Sequence, residues 1–141
     1  MRPVAFDTNV LVYAAGFRRS EADERKIPMA EDLVRQALRN EIVVLPFQTC
    51  PELHNLLVRK AGHSRAEAER VVDAFAGSAM VIGSDVALMR VAFALAGAHR
   101  LQTFDAVILA AAASAGCELL YSEYMQHGFE WRGLMVVNPF A

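Results

Sequence analysis

The sequence predicts an α/β fold with a mostly parallel sheet. Three observations carry this expectation. Short apolar runs of strand length alternate with amphipathic stretches of helix length along the 141 residues. The first run, Val4-Ala5-Phe6, is continuously apolar, as a strand covered on both faces must be. No linker, repeat or low-complexity segment interrupts the alternation, so one domain spanning residues 1–141 is expected.

The first strand breaks on Asp7-Thr8-Asn9, and Val10, Leu11, Tyr13 and Ala14 then line a short helix. The polar stretch from Arg18 to Ile27 reads as a loop or an exposed helix start. Residues 29–40 repeat Leu33 with Ala37 and Val34 with Leu38 at helical spacing. Ile42 to Leu45 is a second buried strand, stopped by Pro46. Pro51 suits the first turn of a helix whose apolar face is Leu53, Leu56 and Leu57, with Gly62 at its end. Ser64 and Glu67 have the capping-box spacing and open a helix to about Ala76. Met80 to Ile82 is a third strand. Ser84 is the expected cap of a helix carrying Val86, Met89 and Phe93 on one side, closed by Gly97. Thr103 is the expected cap of an alanine-rich helix to Ala115, ended by Gly116. Glu118 to Tyr121 and Leu134 to Val137 are the fourth and fifth strands.

Composition narrows the function. Hydrophobic residues make up 55% of the chain, enough for a sizeable core and too many for a disordered protein. A net charge of −2 argues against sequence-blind duplex binding, yet permits a local basic lip around an acidic pocket. Cys50 and Cys117 lie far apart in no metal-like spacing, and are expected as reduced, buried thiols. The apolar stretch after Arg2 is broken by Asp7 and Asn9, unlike a signal peptide. The longest apolar run, Ala106 to Ala113, is far shorter than the ~20 residues of a membrane span. A soluble, cytoplasmic protein without membrane attachment is expected.

Four acids fall just after strands or in first helical turns: Asp7, Glu52, Asp105 and Glu123. In a right-handed parallel sheet, strand ends and the following helix starts share one edge, which places Asp7, Glu52 and Glu123 together. Asp105 follows a helix, so this argument does not place it. Taken singly, each has a structural reading. Asp7 can cap its own helix, and first-turn acids gain roughly 0.3–1 kcal/mol from the helix dipole. Taken together they need a counter-charge, because two carboxylates about 4 Å apart repel by roughly 4 kcal/mol at an effective dielectric near 20. All-oxygen ligands select a hard cation, Mg²⁺ or Mn²⁺ rather than Zn²⁺. Such a cluster suits metal-assisted phosphodiester hydrolysis.

These residues also carry a family resemblance. Phe6-Asp7-Thr8-Asn9-Val10-Leu11 resembles the opening motif of PIN-domain ribonucleases, and Pro51-Glu52-Leu53 their second acidic motif. Thr103-Phe104-Asp105-Ala106 with its alanine-rich continuation is similar to the third. Tyr121-Ser122-Glu123-Tyr124-Met125-Gln126-His127-Gly128 resembles the fourth, and Val136-Val137-Asn138-Pro139-Phe140 the close of VapC-like toxins. The order and spacing of four motifs are more specific than any one alone.

The resemblance implies a three-layer α/β/α sandwich with a mostly parallel central sheet of about five strands. It implies a ribonuclease dependent on Mg²⁺ or Mn²⁺ that cleaves single-stranded RNA, a toxin acting as a homodimer and silenced by a cognate antitoxin. Asp7, Glu52 and Asp105 match the family's metal-binding acids, and Thr8 a hydroxyl position beside the first. One departure stands out: Tyr124 occupies the usual position of a fourth acid, and a phenol with a pKa near 10 is a poor ligand for Mg²⁺. Glu123, adjacent, is the candidate substitute ligand.

Other residues have two readings each. Arg18 and Arg19, with Arg25 and Lys26, form either an RNA-guiding lip or a solvated loop. Asn9 is a cap or turn residue and a candidate substrate contact. His54, His63 and His99 are scattered, whereas His127 follows the fourth motif, within reach of a phosphate. A PIN-like module that binds RNA or protein with weakened catalysis is the competing function, motivated by Tyr124. A phosphatase using Asp7 as nucleophile ranks below both, because that chemistry wants a second Asp where Asn9 stands.

Overall fold

Strand β1 (Pro3–Phe6) hands over to helix α1 (Thr8–Ala14) at Asp7, which caps the helix with its own side chain. The computed structural model describes residues 1–17 and 20–141. After α1 come a short 3₁₀ turn (Glu21–Asp23), α2 (Lys26–Asn40), β2 (Ile42–Pro46), α3 (Thr49–Arg59) and α4 (Arg65–Ser78). Then follow β3 (Met80–Ile82), α5 (Val86–His99), α6 (Thr103–Ser114), β4 (Leu119–Tyr121), β5 (Glu130–Trp131) and β6 (Leu134–Val137).

The strands form one sheet in the order β3-β2-β1-β4-β6-β5, parallel except for β5 against β6. Side-chain alternation builds a core on each face. Val4, Phe6, Val43, Leu45 and Tyr121 join the residues of α1 to α4 on one side. Ala5, Val44, Leu120, Leu134 and Val136 join α5 and α6 on the other. The result is the expected three-layer α/β/α sandwich, and it explains why the strands read as unbroken apolar runs. Among the described residues no helix is long and apolar enough to cross a membrane. Both cysteines are free, and burial pushes the Cys117 thiol up to about 12.

Several boundaries differ from the sequence expectation. The sheet has six strands, because the two-residue β5 pairs with β6 across Arg132 and Gly133, both at positive φ. Gly97 does not close α5, which runs on to His99 and ends with Arg100 in the left-handed region. Asp85, not Ser84, caps α5 through the Leu88 amide, and Gln102, not Thr103, caps α6 through the Asp105 amide. The Ser64–Glu67 capping box forms as expected.

The chain lays down β1, β2 and β3 in one direction and then places β4 on the other side of β1. The strand order therefore reverses between β1 and β4. In open α/β sheets the crevice outside such a reversal, at the carboxyl ends of the strands, is where ligands bind. Asp7 stands at that crevice, its amide bonded to the Tyr121 carbonyl at 2.8 Å.

Candidate active site

The side chain of Asp7 is buried and doubly held. Its Oδ1 accepts from the Thr8 amide at 2.7 Å and its Oδ2 from the Ser122 hydroxyl at 2.9 Å. Burial raises its pKa, the bonds from Ser122 and Thr8 pull it down, and the charge of Glu52 raises it again; the net direction is upward. The Thr8 hydroxyl, also buried, donates to Glu52 Oε2 at 2.8 Å. Gln48 Nε2 lies 3.5 Å from the other Glu52 oxygen. Thus β1, α1 and α3 are tied at one point by a chain running from Ser122 to Asp7 and from Thr8 to Glu52.

Asp105 comes from the other face of the sheet, in the first turn of α6. Its carboxyl is pushed up to about 6, by burial first and then by the charges of Asp7 and Glu52. The fold therefore brings together the three acids that the motifs single out. Among the described residues, no Lys or Arg forms an ion pair with any of them.

Glu123 is placed differently. It follows β4, but its carboxylate is taken by an ion pair with Lys26 and by the Tyr13 hydroxyl, which donates at 3.0 Å. Lys26 also bonds Asp23 at 2.7 Å and lies over the rings of Tyr13 and Phe140. Tyr124, beside it, is 59% exposed. Asn9 sits in α1 next to Thr8, half-buried. His127 is exposed, and its Nδ1 accepts from the Asn138 amide at 2.9 Å, which leaves Nε2 to carry the proton of the neutral ring. Arg18 and Arg19 lie outside the described residues.

The donor chemistry fits a hard divalent cation. Among the described residues no Lys or Arg pairs with these three acids, the charge of Glu52 reaches Asp7, the charges of both reach Asp105, and the pKa of Asp7 and of Asp105 is raised. Among the described residues no group of three His, Cys, Asp or Glu side chains is arranged to hold a metal ion. Mg²⁺ commonly binds through one or two carboxylates and keeps several waters, so it does not require all three acids as ligands at once. Asp7, Glu52 and Asp105 are the candidates from which one or two carboxylates would hold it.

Two contributors were not singled out from the sequence. Ser122 donates to Asp7 and accepts from the Met125 amide at 3.2 Å, so one hydroxyl joins the β4 turn to the first acid. Its signal was a Ser directly after an apolar strand. Gln48 precedes Glu52 by one helical turn and left no signal, because a polar residue at a helix start is unremarkable. A cleft of about 550 Å³ between α5 and α6, lined partly by Trp131 and Arg132, contains none of the three acids.

A family model described as the PIN domain matches residues 4–125. No curated protein sequence matches significantly. Solved structures with the same fold include VapBC2 from Rickettsia felis bound to a promoter DNA fragment. That chain is 12% identical with a TM-score of 0.69, over 95% of this chain and 96% of that one. A toxin–antitoxin complex from Klebsiella pneumoniae is 20% identical with a TM-score of 0.67, over 96% and 97%. VapC20 of Mycobacterium tuberculosis, a sarcin-ricin loop cleaving toxin, is 19% identical with a TM-score of 0.64, over 84% and 88%. At these identities the structural likeness speaks for the fold.

Proposed function

This chain belongs to the PIN-domain family, and from that premise we propose that it is a divalent-metal-dependent endoribonuclease cleaving single-stranded RNA, the toxin of a toxin–antitoxin pair. The observation that carries the reading is that Asp7, at the strand-order reversal, and Glu52 lie within electrostatic reach of Asp105, whose carboxyl is raised to about 6. Repelling acids gathered without a cationic partner destabilise a fold, and serve it only when a cation or a substrate proton joins them. The structural neighbours support the partners proposed here: one is a toxin–antitoxin complex, one is VapBC2 bound to a promoter DNA fragment, and one is a sarcin-ricin loop cleaving toxin. A cytoplasmic homodimer of the single domain, held by a cognate antitoxin, completes the reading.

The division of labour follows from the geometry. A bound Mg²⁺ or Mn²⁺ supplies charge neutralisation for the carboxylates and the phosphate, and acidifies water. Asp7 is fixed from two sides and acts as the immobile anchor. Thr8 orients the carboxylate of Glu52 towards the same point. Asp105, on the opposite face of the sheet, completes the acidic cluster, its carboxyl raised by burial and by the charges of Asp7 and Glu52. Asn9 and His127 are assigned to substrate contacts, as are Arg18 and Arg19; Glu123 is assigned to its pair with Lys26 rather than to the metal.

The test is cleavage of labelled single-stranded RNA by antitoxin-free protein with Mn²⁺, with Mg²⁺ and with chelator, using Asp7→Asn as control. Metal-dependent cleavage lost in the variant is expected. No metal binding at all would sink the site. The competing reading, a binding module with weakened catalysis, draws on the exposed Tyr124 at the fourth-acid position. It requires undiminished partner affinity when Asp7, Glu52 and Asp105 are all neutralised.

A further inference from the structure

Beside the carboxylates lies a second cleft, of about 280 Å³, between the start of α3 and the α5–α6 pair. It is lined by Phe47, Gln48, Ser84, Leu88, Met89 and Val107. Two features set it apart from the other surface hollows. It shares Gln48 with the acidic cluster, since that amide reaches Glu52. It also carries the ring of Phe47, which is 59% exposed although β2 has just ended in a buried apolar run. The Phe47 backbone is fixed, its amide bonded to the Ile82 carbonyl at 2.8 Å, so the ring is presented from a rigid position.

We propose that this cleft is a nucleobase subsite: an unstacked base next to the scissile phosphate lies against the Phe47 ring over the apolar floor of Leu88, Met89 and Val107. The side chains of Gln48 and Ser84 meet its polar edge. The inference rests on the nuclease reading above. The chemistry favours a base over a purely apolar occupant. A planar, half-polar group is what an exposed ring flanked by an amide and a hydroxyl accommodates. Single-stranded RNA offers splayed bases, whereas a duplex does not. The amide of Gln48 has two donor hydrogens and an acceptor oxygen; with Nε2 lying 3.5 Å from Glu52, a second hydrogen and the oxygen are left to meet the polar edge of any of the four bases. A second exposed ring, Phe104 at 51%, adjoins Asp105 in sequence and lies outside this cleft.

The probe is a set of short single-stranded RNAs carrying one 2-aminopurine at successive positions, bound to the Asp7→Asn protein so that nothing is cut. Stacking should quench the fluorescence at one position. Phe47→Ala should abolish that quenching and weaken binding about 5- to 100-fold. In the active background it should raise KM by a similar factor with little change in kcat. Phe47→Tyr should restore both readouts, and Phe47→Leu, which keeps the apolar bulk without the aromatic face, should not. Circular dichroism and melting of each variant report whether the fold is intact. Active wild-type enzyme with unchanged quenching and KM in Phe47→Ala would overturn the subsite and leave the nuclease standing. Loss of antitoxin affinity in Phe47→Ala with RNA binding intact would assign the cleft to a protein partner and overturn it likewise. Wild-type protein that neither binds nor cuts RNA would remove the nuclease reading and the subsite together.

Discussion

Asp105→Asn in metal-free buffer should make the protein more stable, in a way that depends on pH. The carboxyl ordinarily titrates at 3.8 and is raised to about 6 in the folded protein, by burial and by Asp7 and Glu52. A raised acid means that the folded state holds the proton more tightly than the unfolded chain does. Its contribution is then most favourable below pH ~4, falls as pH rises through ~4 to 6, and stays low above. The full difference corresponds to about 3 kcal/mol. Asp105 is only partly buried, so solvent screening reduces this to about 1.5 kcal/mol. The N-terminal dipole of α6 favours the carboxylate and takes back about 0.5 kcal/mol. About 1 kcal/mol remains, which for a chain of 141 residues raises Tm by roughly 3 °C. Calorimetric scans of both proteins in chelator at pH 7.5 and pH 4 measure it. The variant should melt higher at pH 7.5 and level with wild type at pH 4. Millimolar Mn²⁺ should shrink or invert the gap, since wild type gains about 2.7 kcal/mol at a hundredfold excess over Kd. A variant no more stable at pH 7.5, or equally advantaged at both pH values, would refute the repulsion argument.

Three further perturbations test neighbouring parts of the structure. Ser122→Ala removes the donor to Asp7 and the acceptor for the Met125 amide, and should cost about 1–2 kcal/mol in urea unfolding while lowering RNA cleavage. Lys26→Met strands the Glu123 carboxylate. The two side chains are 15% and 9% exposed, between surface and buried pairs, so a loss of about 2 kcal/mol is expected, partly recovered in the Lys26→Met/Glu123→Gln double variant; additive losses would contradict the pairing. Tyr124→Asp should raise the cleavage rate severalfold at limiting Mg²⁺ if the missing fourth acid limits turnover, and an unchanged or lower rate counts against that account.

The sheet was legible because its inner strands are buried apolar runs that stop on polar residues or proline, and even the more exposed edge strand β3 is an apolar triplet between Ala79 and Gly83. Met80–Ile82 was found to the residue, and the Ser64–Glu67 box marked its helix start. The errors have local causes. Gly97 looks like a helix end, but an exposed glycine costs only about 1 kcal/mol relative to alanine, and the apolar residues around it keep α5 going. Strand β5 is two residues long and has no pattern of its own, being defined by the Arg132-Gly133 turn and by β6. The acids Asp7 and Glu52 could be placed together from strand ends alone. Asp105 could not, because it arrives from the opposite layer through packing that no local window contains; only the family resemblance put it there. For Glu123 the edge argument gave the right position in the chain and no direction for the side chain, which Lys26 and Tyr13 decide.

The double duty of Asp7, as helix cap and as site acid, has a consequence for how such a protein is silenced. Asparagine and serine cap a helix start about as well as aspartate, and neither brings a buried charge. Folding alone would therefore do as well with either, and one replaced atom, a carboxylate oxygen by an amide nitrogen, removes the charge while the scaffold persists. An inactive copy of this chain is thus one short mutational step away and meets no folding barrier. If the toxin reading proposed above holds, escape from the activity by this route is structurally easy, and inactive descendants should stay folded and still able to engage whatever binds the active form.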